Sequence, residues 1–240
     1  MQRESGGFIR SVFSEVPATY ELVNHLLTFG LDVLWRNRAA RIAAHAGRTA
    51  RSERPAWADF CTGTGEMAAL LRRLAPKDTT VYAVDLTPSM LAQARQKPGA
   101  SETRFLISDV KRLPFADQSL DLITLSFAMR NINLSRDVLV RTLAEFRRVL
   151  RPGGQLINLE TSQPPSGIVR WGFHLHVKLL VKPIGTLVSG SRRGYTYLSH
   201  TIPRFYPAEA LAEIMRQAGF SQVSYQRLLF GVAAIHQAVR

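Results

Sequence analysis

Between residues 56 and 160 short apolar runs alternate with longer amphipathic ones, the signature of strand and helix in turn. The pattern predicts strands at 56–61, 79–84, 103–108, 120–127 and 155–160. A helix fills 65–75 and stops before Pro76; the next opens at Thr87-Pro88, with threonine as N-cap and proline at the first helical position, and ends before Pro98-Gly99. A third runs from Ser135 to Leu150, and Pro152-Gly153-Gly154 turns the chain into the fifth strand. Such a repeat builds a parallel sheet with helices on both faces. After Pro207 one more helix reaches Gln217, and runs at 220–229 and 231–238, joined around Phe230-Gly231, are close enough in sequence to pair antiparallel. The flanks differ. Residues 8–28 and 31–46, the latter closed by Gly47, repeat apolar positions at helical spacing and are expected to pack over the ligand mouth. Residues 161–206 carry no strand–helix repeat and are expected to form a lid. One domain results, with a helical cap (1–54), a cofactor-binding core (55–160), the lid (161–206) and a C-terminal helix with strands (207–240).

Chemistry concentrates at the strand ends. Asp59-Phe60-Cys61-Thr62-Gly63-Thr64-Gly65 joins the first strand to an alanine- and leucine-rich helix, and Gly63 and Gly65 let that turn approach a ligand closely. Asp85 closes the second strand, where an acid accepts from ribose hydroxyls. Asp109 follows the third and can accept from an adenine amine, while the Val110 N–H suits a ring nitrogen; Ser126 to Asn131 follow the fourth. Ligands of such sheets bind outside these carboxyl ends. A dinucleotide loop asks for a third glycine where Ala68 stands, and Glu66 would repel a pyrophosphate. S-adenosylmethionine, a phosphate-free sulfonium, fits better.

Charge adds a second expectation. The 31 Lys and Arg outnumber 18 Asp and Glu, for a net charge of +13. No acid lies between Glu160 and Glu209, whereas Arg170, Lys178, Lys182, Arg192, Arg193 and Arg204 do, interleaved with Trp171, Phe173, Leu179 and Leu187. This composition suits an anionic membrane surface better than nucleic acid, and the Asn-Pro-Pro-aromatic stretch of N6-amine methyltransferases is absent after strand four. No apolar run approaches the ~20 residues that span a bilayer, and Met1 to Gly7 opens without a signal-peptide core. With Cys61 as the one cysteine, a disulfide within the chain and a cysteine metal cluster are excluded, and a cytoplasmic location is expected. His174 and His176 are spaced for a strand or extended loop without accompanying acids, so no metal site is expected.

The run from Arg148 through Pro152-Gly153-Gly154 to Ser162 resembles a signature of the ubiquinone/menaquinone biosynthesis C-methyltransferase family. So do Tyr20 to Asn24 with Thr28-Phe29-Gly30-Leu31 and Trp35, Leu113-Pro114-Phe115, Ser126 to Asn131, Tyr195 to Leu198, and Gly231 to His236. The chain departs from the family pattern at Glu21, Thr28, Glu66 and, less conservatively, Asp32, where a histidine is common. The resemblance implies a Rossmann-like class I methyltransferase with a seven-stranded, mostly parallel α/β sheet. It implies methyl transfer from S-adenosylmethionine to a ring carbon of a prenylated quinol, with demethylmenaquinol placed ahead of a benzoquinol or a soluble metabolite. Thr64, Asp85, Asp109, Val110 and Ser126 are then cofactor contacts, beside Asp59, Gly63 and Gly65. Arg130 would hold a phenolate or a water, unless it merely pairs with an acid such as Asp137, and Tyr20 would bond the quinol oxygen. Asn24, His25, Asn131 and Tyr195 complete the expected substrate contacts. The expected partners are the lipophilic quinol, the inner membrane face as a peripheral surface, and a second copy in a homodimer.

Overall fold

In the computed structural model, which describes residues 7, 19–49 and 52–240, one sheet organises the chain. Its strands are β1 (Ala56–Phe60), β2 (Thr80–Asp85), β3 (Thr103–Ile107), β4 (Leu120–Ser126), β5 (Leu150–Thr161), β6 (Gln222–Leu228) and β7 (Ala233–Val239). They lie in the order β3-β2-β1-β4-β5-β7-β6. Strands β1 to β5 are mutually parallel, and β7 runs antiparallel to both β5 and β6. The predicted hairpin is present, with Leu229, Phe230 and Gly231 all at positive φ in its turn. The fifth strand starts earlier than expected. Leu150 already pairs with Leu120, and a register shift between Leu120 and Leu122 absorbs the Pro-Gly-Gly stretch inside the strand.

The helices are α1 (Tyr20–Thr28), α2 (Leu31–Thr49), α3 (Glu66–Leu74), α4 (Pro88–Ala94), α5 (Met129–Ile132) and α6 (Arg136–Val149). Then come α7 (Gly167–His176), a π turn at Val177–Val181, α8 (Lys182–Ser189), α9 (Arg192–Thr201) and α10 (Ala208–Gln217). Alternation in the strands feeds two cores. Ala58, Phe60, Ile123 and Leu125 meet Leu139, Leu143 and Phe146 of α6 and Leu211, Ile214 and Met215 of α10. Trp57, Val81, Leu122 and Ile157 meet Met67 and Leu71 of α3 on the opposite face.

That second face corrects the expectation for the N-terminal segment. Only the first turns of helix α2, from Leu31 to Arg36, reach the mouth; beyond them Ala39, Ala40, Ala43, Ala44 and Ala46 press the helix directly onto the sheet. Gly47 does not end the helix. It sits where a Cβ would fall 2.4 Å from the Trp57 ring, so here the missing side chain serves packing rather than termination. Helix α1 does reach the mouth, packing through Val23 on Met90 of α4 and on Val177, Val181, Tyr195 and Leu198. Residues 8–18 of the predicted first helix lie outside the described residues. The lid is helical from Gly167 to Arg204 apart from a break at Gly190 and Ser191, so His174 and His176 sit on a helix rather than an extended segment. Their rings bond Gln163 at 2.7 Å and the Leu27 carbonyl at 3.0 Å.

Candidate active site

The carboxyl ends of β1, β2 and β4 open into a polar cleft lined by Gly63, Thr64, Glu66, Asp85, Met90, Ser126 and Asn131, among others. The loop geometry follows from its glycines. Gly63 has φ +55 with open space where a Cβ would stand, whereas at Gly65 (φ +85) a Cβ would fall 2.7 Å from that of Ala94. Gly65 therefore draws the loop against α4, and Gly63 leaves backbone bare toward the cleft. The Gly63 N–H donates to Asp85 Oδ2 at 2.9 Å and the Thr87 N–H to Oδ1 at 2.8 Å. Burial raises the Asp85 carboxyl above its ordinary value, against the pull of these backbone donors. Cys61 turns the strand into this loop at φ 52, and burial raises its thiol.

A smaller lobe continues past Cys61 and Asn131 to Asp109, Val110 and Lys111 at the end of β3. The expected cofactor residues thus converge with two exceptions. Gly65 acts from behind the wall. Asp59, 1% exposed, lies beneath the loop, where it accepts from the Thr62 hydroxyl at 2.6 Å and the Thr124 hydroxyl at 2.7 Å. Burial lifts its carboxyl to about 7.

The cleft meets a second chamber of about 420 Å³. Its wall is mostly apolar, including Leu27, Phe29, Trp35, Phe173, Val177 and Phe230, and Asn24, Asp32, Arg36, Arg130 and His176 also reach it. Two residues, Phe127 and Arg36, line both spaces. Phe127 leaves β4 at φ 56, a costly backbone for a bulky residue, and its N–H is anchored to the Leu159 carbonyl at 2.7 Å. Its ring lies 6.5 Å from that of Trp35 and 5.2 Å below the Arg36 guanidinium.

Arg130 and Asn131 stand on α5, and successive helical residues diverge by ~100°. Arg130 therefore faces the apolar chamber and Asn131 the cofactor cleft, which corrects the expectation that both touch substrate. Asp137 is not the partner of Arg130. Glu160, fully buried at the end of β5, holds it through Nη1 at 3.2 Å, and Thr161 shares that nitrogen at 3.2 Å. The Arg130 Nε and the Asn131 Oδ1 are buried without a protein partner. Asn24 lines the chamber as expected. His25 does not; its Nδ1 lies 2.8 Å and 3.0 Å from the two Asp32 oxygens. Tyr195 is also elsewhere, 1% exposed inside the lid and pressed on Gly185, where a Cβ would strike its ring. The Tyr20 side chain lies outside the described residues.

Arg36, Glu160 and Lys97 join the site without a signal in the sequence that marks them as functional. Lys97 Nζ joins Glu21 of α1 at 2.7 Å to Glu66 of the glycine loop at 3.0 Å, which ties the cap to the cleft. The opposed charges of Glu21, Glu66 and Lys97 were visible, but not that three distant segments bring them together.

An acidic strand tip, a bare glycine turn and an unpartnered Asn131 acceptor fit a ligand that donates from ribose, adenine and an amino-acid tail. Fold and cleft together define an S-adenosylmethionine-dependent methyltransferase. Solved structures agree on the fold: an O-methyltransferase family protein from Burkholderia thailandensis superposes at a TM-score of 0.63 with 16% identity, covering 93% of this chain and 59% of that one. A SAM dependent methyltransferase from Aquifex aeolicus gives 0.53 with 19% identity, over 78% and 82%. The chain belongs to the ubiE/COQ5 methyltransferase family, whose model matches residues 1–240. Its relatives include the ubiquinone/menaquinone biosynthesis C-methyltransferase UbiE of Dinoroseobacter shibae, 38% identical over 97% of this chain and 90% of that one. The demethylmenaquinone methyltransferase of Thermus thermophilus is 39% identical over 94% and 98%.

Proposed function

We propose that this enzyme methylates a ring carbon of a prenylated hydroquinone in quinone biosynthesis, with demethylmenaquinol as acceptor. One observation carries the reading: a polar cofactor cleft and an apolar chamber share Phe127 and Arg36, and Arg130 projects into the apolar side. S-adenosylmethionine supplies an electrophilic methyl group when bound. The chain's own residues do the rest. A hydroquinone hydroxyl beside the Arg130 guanidinium ionises more readily because the phenolate is paired with a fixed cation. The buried Nε is a donor waiting for that oxygen. Arg130 stays protonated, so it stabilises charge rather than removing the proton. The apolar walls exclude water from the attacking carbon and hold the ring in line with the methyl.

The same reading extends to a membrane surface. Phe29 and Phe230 line the chamber and are each 77% exposed, so they form its apolar rim. Ile168, Trp171, Leu179 and Leu187 are exposed on the helices beside it, as are Arg170, Lys178, Arg192 and Arg204. Apolar wedges among cations suit an anionic lipid surface, from which a prenyl tail can pass into the chamber. Among the described residues no helix is long and apolar enough to cross a membrane. The test is to recover product after incubation with isotope-labelled S-adenosylmethionine and demethylmenaquinol in anionic vesicles. Label on a ring carbon supports the reading; label on a ring oxygen, forming an ether, contradicts it.

A further inference from the structure

We propose that Arg36 receives the carboxylate of the cofactor's methionine tail, and that Asp32 is the residue that positions Arg36 for it. The inference rests on the methyltransferase reading and assigns a part of the cofactor which the strand-tip acids leave unpaired.

The layout of the cleft gives the direction of the ligand. Asp109 and Val110 form one end, Asp85 and the glycine loop the middle, and Glu66 and Arg36 the other end, against the apolar chamber. With the base at the first end and ribose at Asp85, the amino-acid tail falls at Glu66 and Arg36. The tail is a zwitterion. Among the described residues lining the main cleft, Asp85 and Glu66 are acidic and Arg36 is the one cation. A carboxylate brought into this partly buried space without a cation would be costly, and Lys111 lies at the opposite, adenine end. Glu66 is the natural partner for the ammonium of the same tail. Lys97, 3.0 Å from Glu66 Oε1, offsets its repulsion of the carboxylate.

Arg36 is built for a ligand rather than for solvent. It is 6% exposed and its guanidinium is stacked over the Phe127 ring. Its ion pairs, a short one to Asp32 and one of 3.8 Å to Glu66, both run through Nη1. The planar fork has five N–H donors, so its remaining edge is left for a carboxylate, the geometry it matches best.

Asp32 explains how the fork is held. It is 1% exposed, one helical turn before Arg36, and it also accepts from the Thr28 hydroxyl at 2.8 Å and faces His25 Nδ1. Burial opposes its ionisation, but the His25, Thr28 and Arg36 donors prevail and hold the carboxyl below its usual value. The residue that departs most from the family pattern is therefore an anchored anion whose partner is Arg36.

The test compares two ligands by calorimetry, with no quinol present: S-adenosylmethionine, and 5′-methylthioadenosine, which has the same nucleoside but no amino-acid tail. Arg36→Gln should weaken S-adenosylmethionine at least ~10-fold and leave 5′-methylthioadenosine within ~2-fold, in keeping with loss of a buried charge pair. Arg36→Lys should recover part of the loss. Asp32→Asn should weaken S-adenosylmethionine several-fold, again sparing 5′-methylthioadenosine. Equal weakening of both ligands, or of neither, overturns the assignment. Unchanged 5′-methylthioadenosine binding reports that each variant is folded at the site. If the wild-type protein binds 5′-methylthioadenosine but not S-adenosylmethionine, the cofactor site itself is misread and the proposal falls with it.

Discussion

Arg130 and Glu160 are joined twice. The Arg130 N–H donates to Glu160 Oε2 at 3.1 Å, and its Nη1 donates to Oε1 at 3.2 Å. The Thr161 N–H and hydroxyl also donate to Oε1, at 2.8 Å and 3.0 Å. A carboxylate with no exposed surface thus fixes the backbone of α5 and the direction of its guanidinium together. The pair sets where a phenolate can sit.

Glu160→Gln keeps the shape and removes the charge. Its kcat should fall by about 100-fold, of the order seen when a positioned charge-stabilising donor is lost, while S-adenosylmethionine binds within ~2-fold of wild type. Steady-state kinetics beside calorimetry reads both. A purely structural role would instead lower both in proportion to lost folded protein.

Asp59 gives a pH signature. Its carboxyl titrates at about 7 in the fold against 3.8 ordinarily. Between these values the folded chain binds a proton that the unfolded chain has released, so stability falls as pH rises from 3.8 to about 7 and is flat above. A gap of about 3 units is worth as much as ~4 kcal/mol. Asp59→Asn should remove this slope, and its stability relative to wild type should be greater at pH 8 than at pH 5 in urea denaturation. A difference independent of pH would refute the assignment.

Gly65→Ala should cost about 1–3 kcal/mol, since it combines a left-handed backbone with overpacking against Ala94. Gly167→Ala, where a Cβ meets nothing, is the control and should stay within ~0.5 kcal/mol. Thermal unfolding distinguishes the two. Similar losses at both would mean that the loop does not press on α4.

Trp171→Glu addresses the membrane surface, since Trp171 is 69% exposed and packs no core. It should reduce sedimentation with anionic vesicles several-fold and leave S-adenosylmethionine affinity unchanged. Undiminished vesicle binding would move the contact to another face.

The cofactor half of this enzyme was legible because its signals are local. A strand, a glycine turn and an acid at the next strand tip are set by short-range geometry, and parallel pairing brings Gly63, Asp85 and Asp109 to one edge. The acceptor half depends on longer contacts. Asp32 and Arg36 read as one turn of an ordinary helix, and nothing in their spacing says that the turn spans two chambers. Glu160 reads as the last residue of a strand. Asn131 belongs to the same motif as Arg130, although one step of helix separates the spaces they face. Tyr195 and His25 belong to motifs but spend their contacts within the lid, on Gly185, and within the cap, on Asp32. The second half of helix α2 is hidden for a similar reason: its alanines look weakly amphipathic, yet their small size is what lets it lie on the sheet.

The proposed chemistry depends on Arg130 facing a quinol across the shared Phe127 wall. Methyl transfer from labelled S-adenosylmethionine to demethylmenaquinol, run beside a demethylated benzoquinol, is to be compared between wild-type and Arg130→Ala enzyme in anionic vesicles. Wild type should turn over demethylmenaquinol, and Arg130→Ala should lose about 100-fold or more in kcat with cofactor affinity retained. Equal turnover by both enzymes, or bound cofactor with neither quinol methylated, would contradict it.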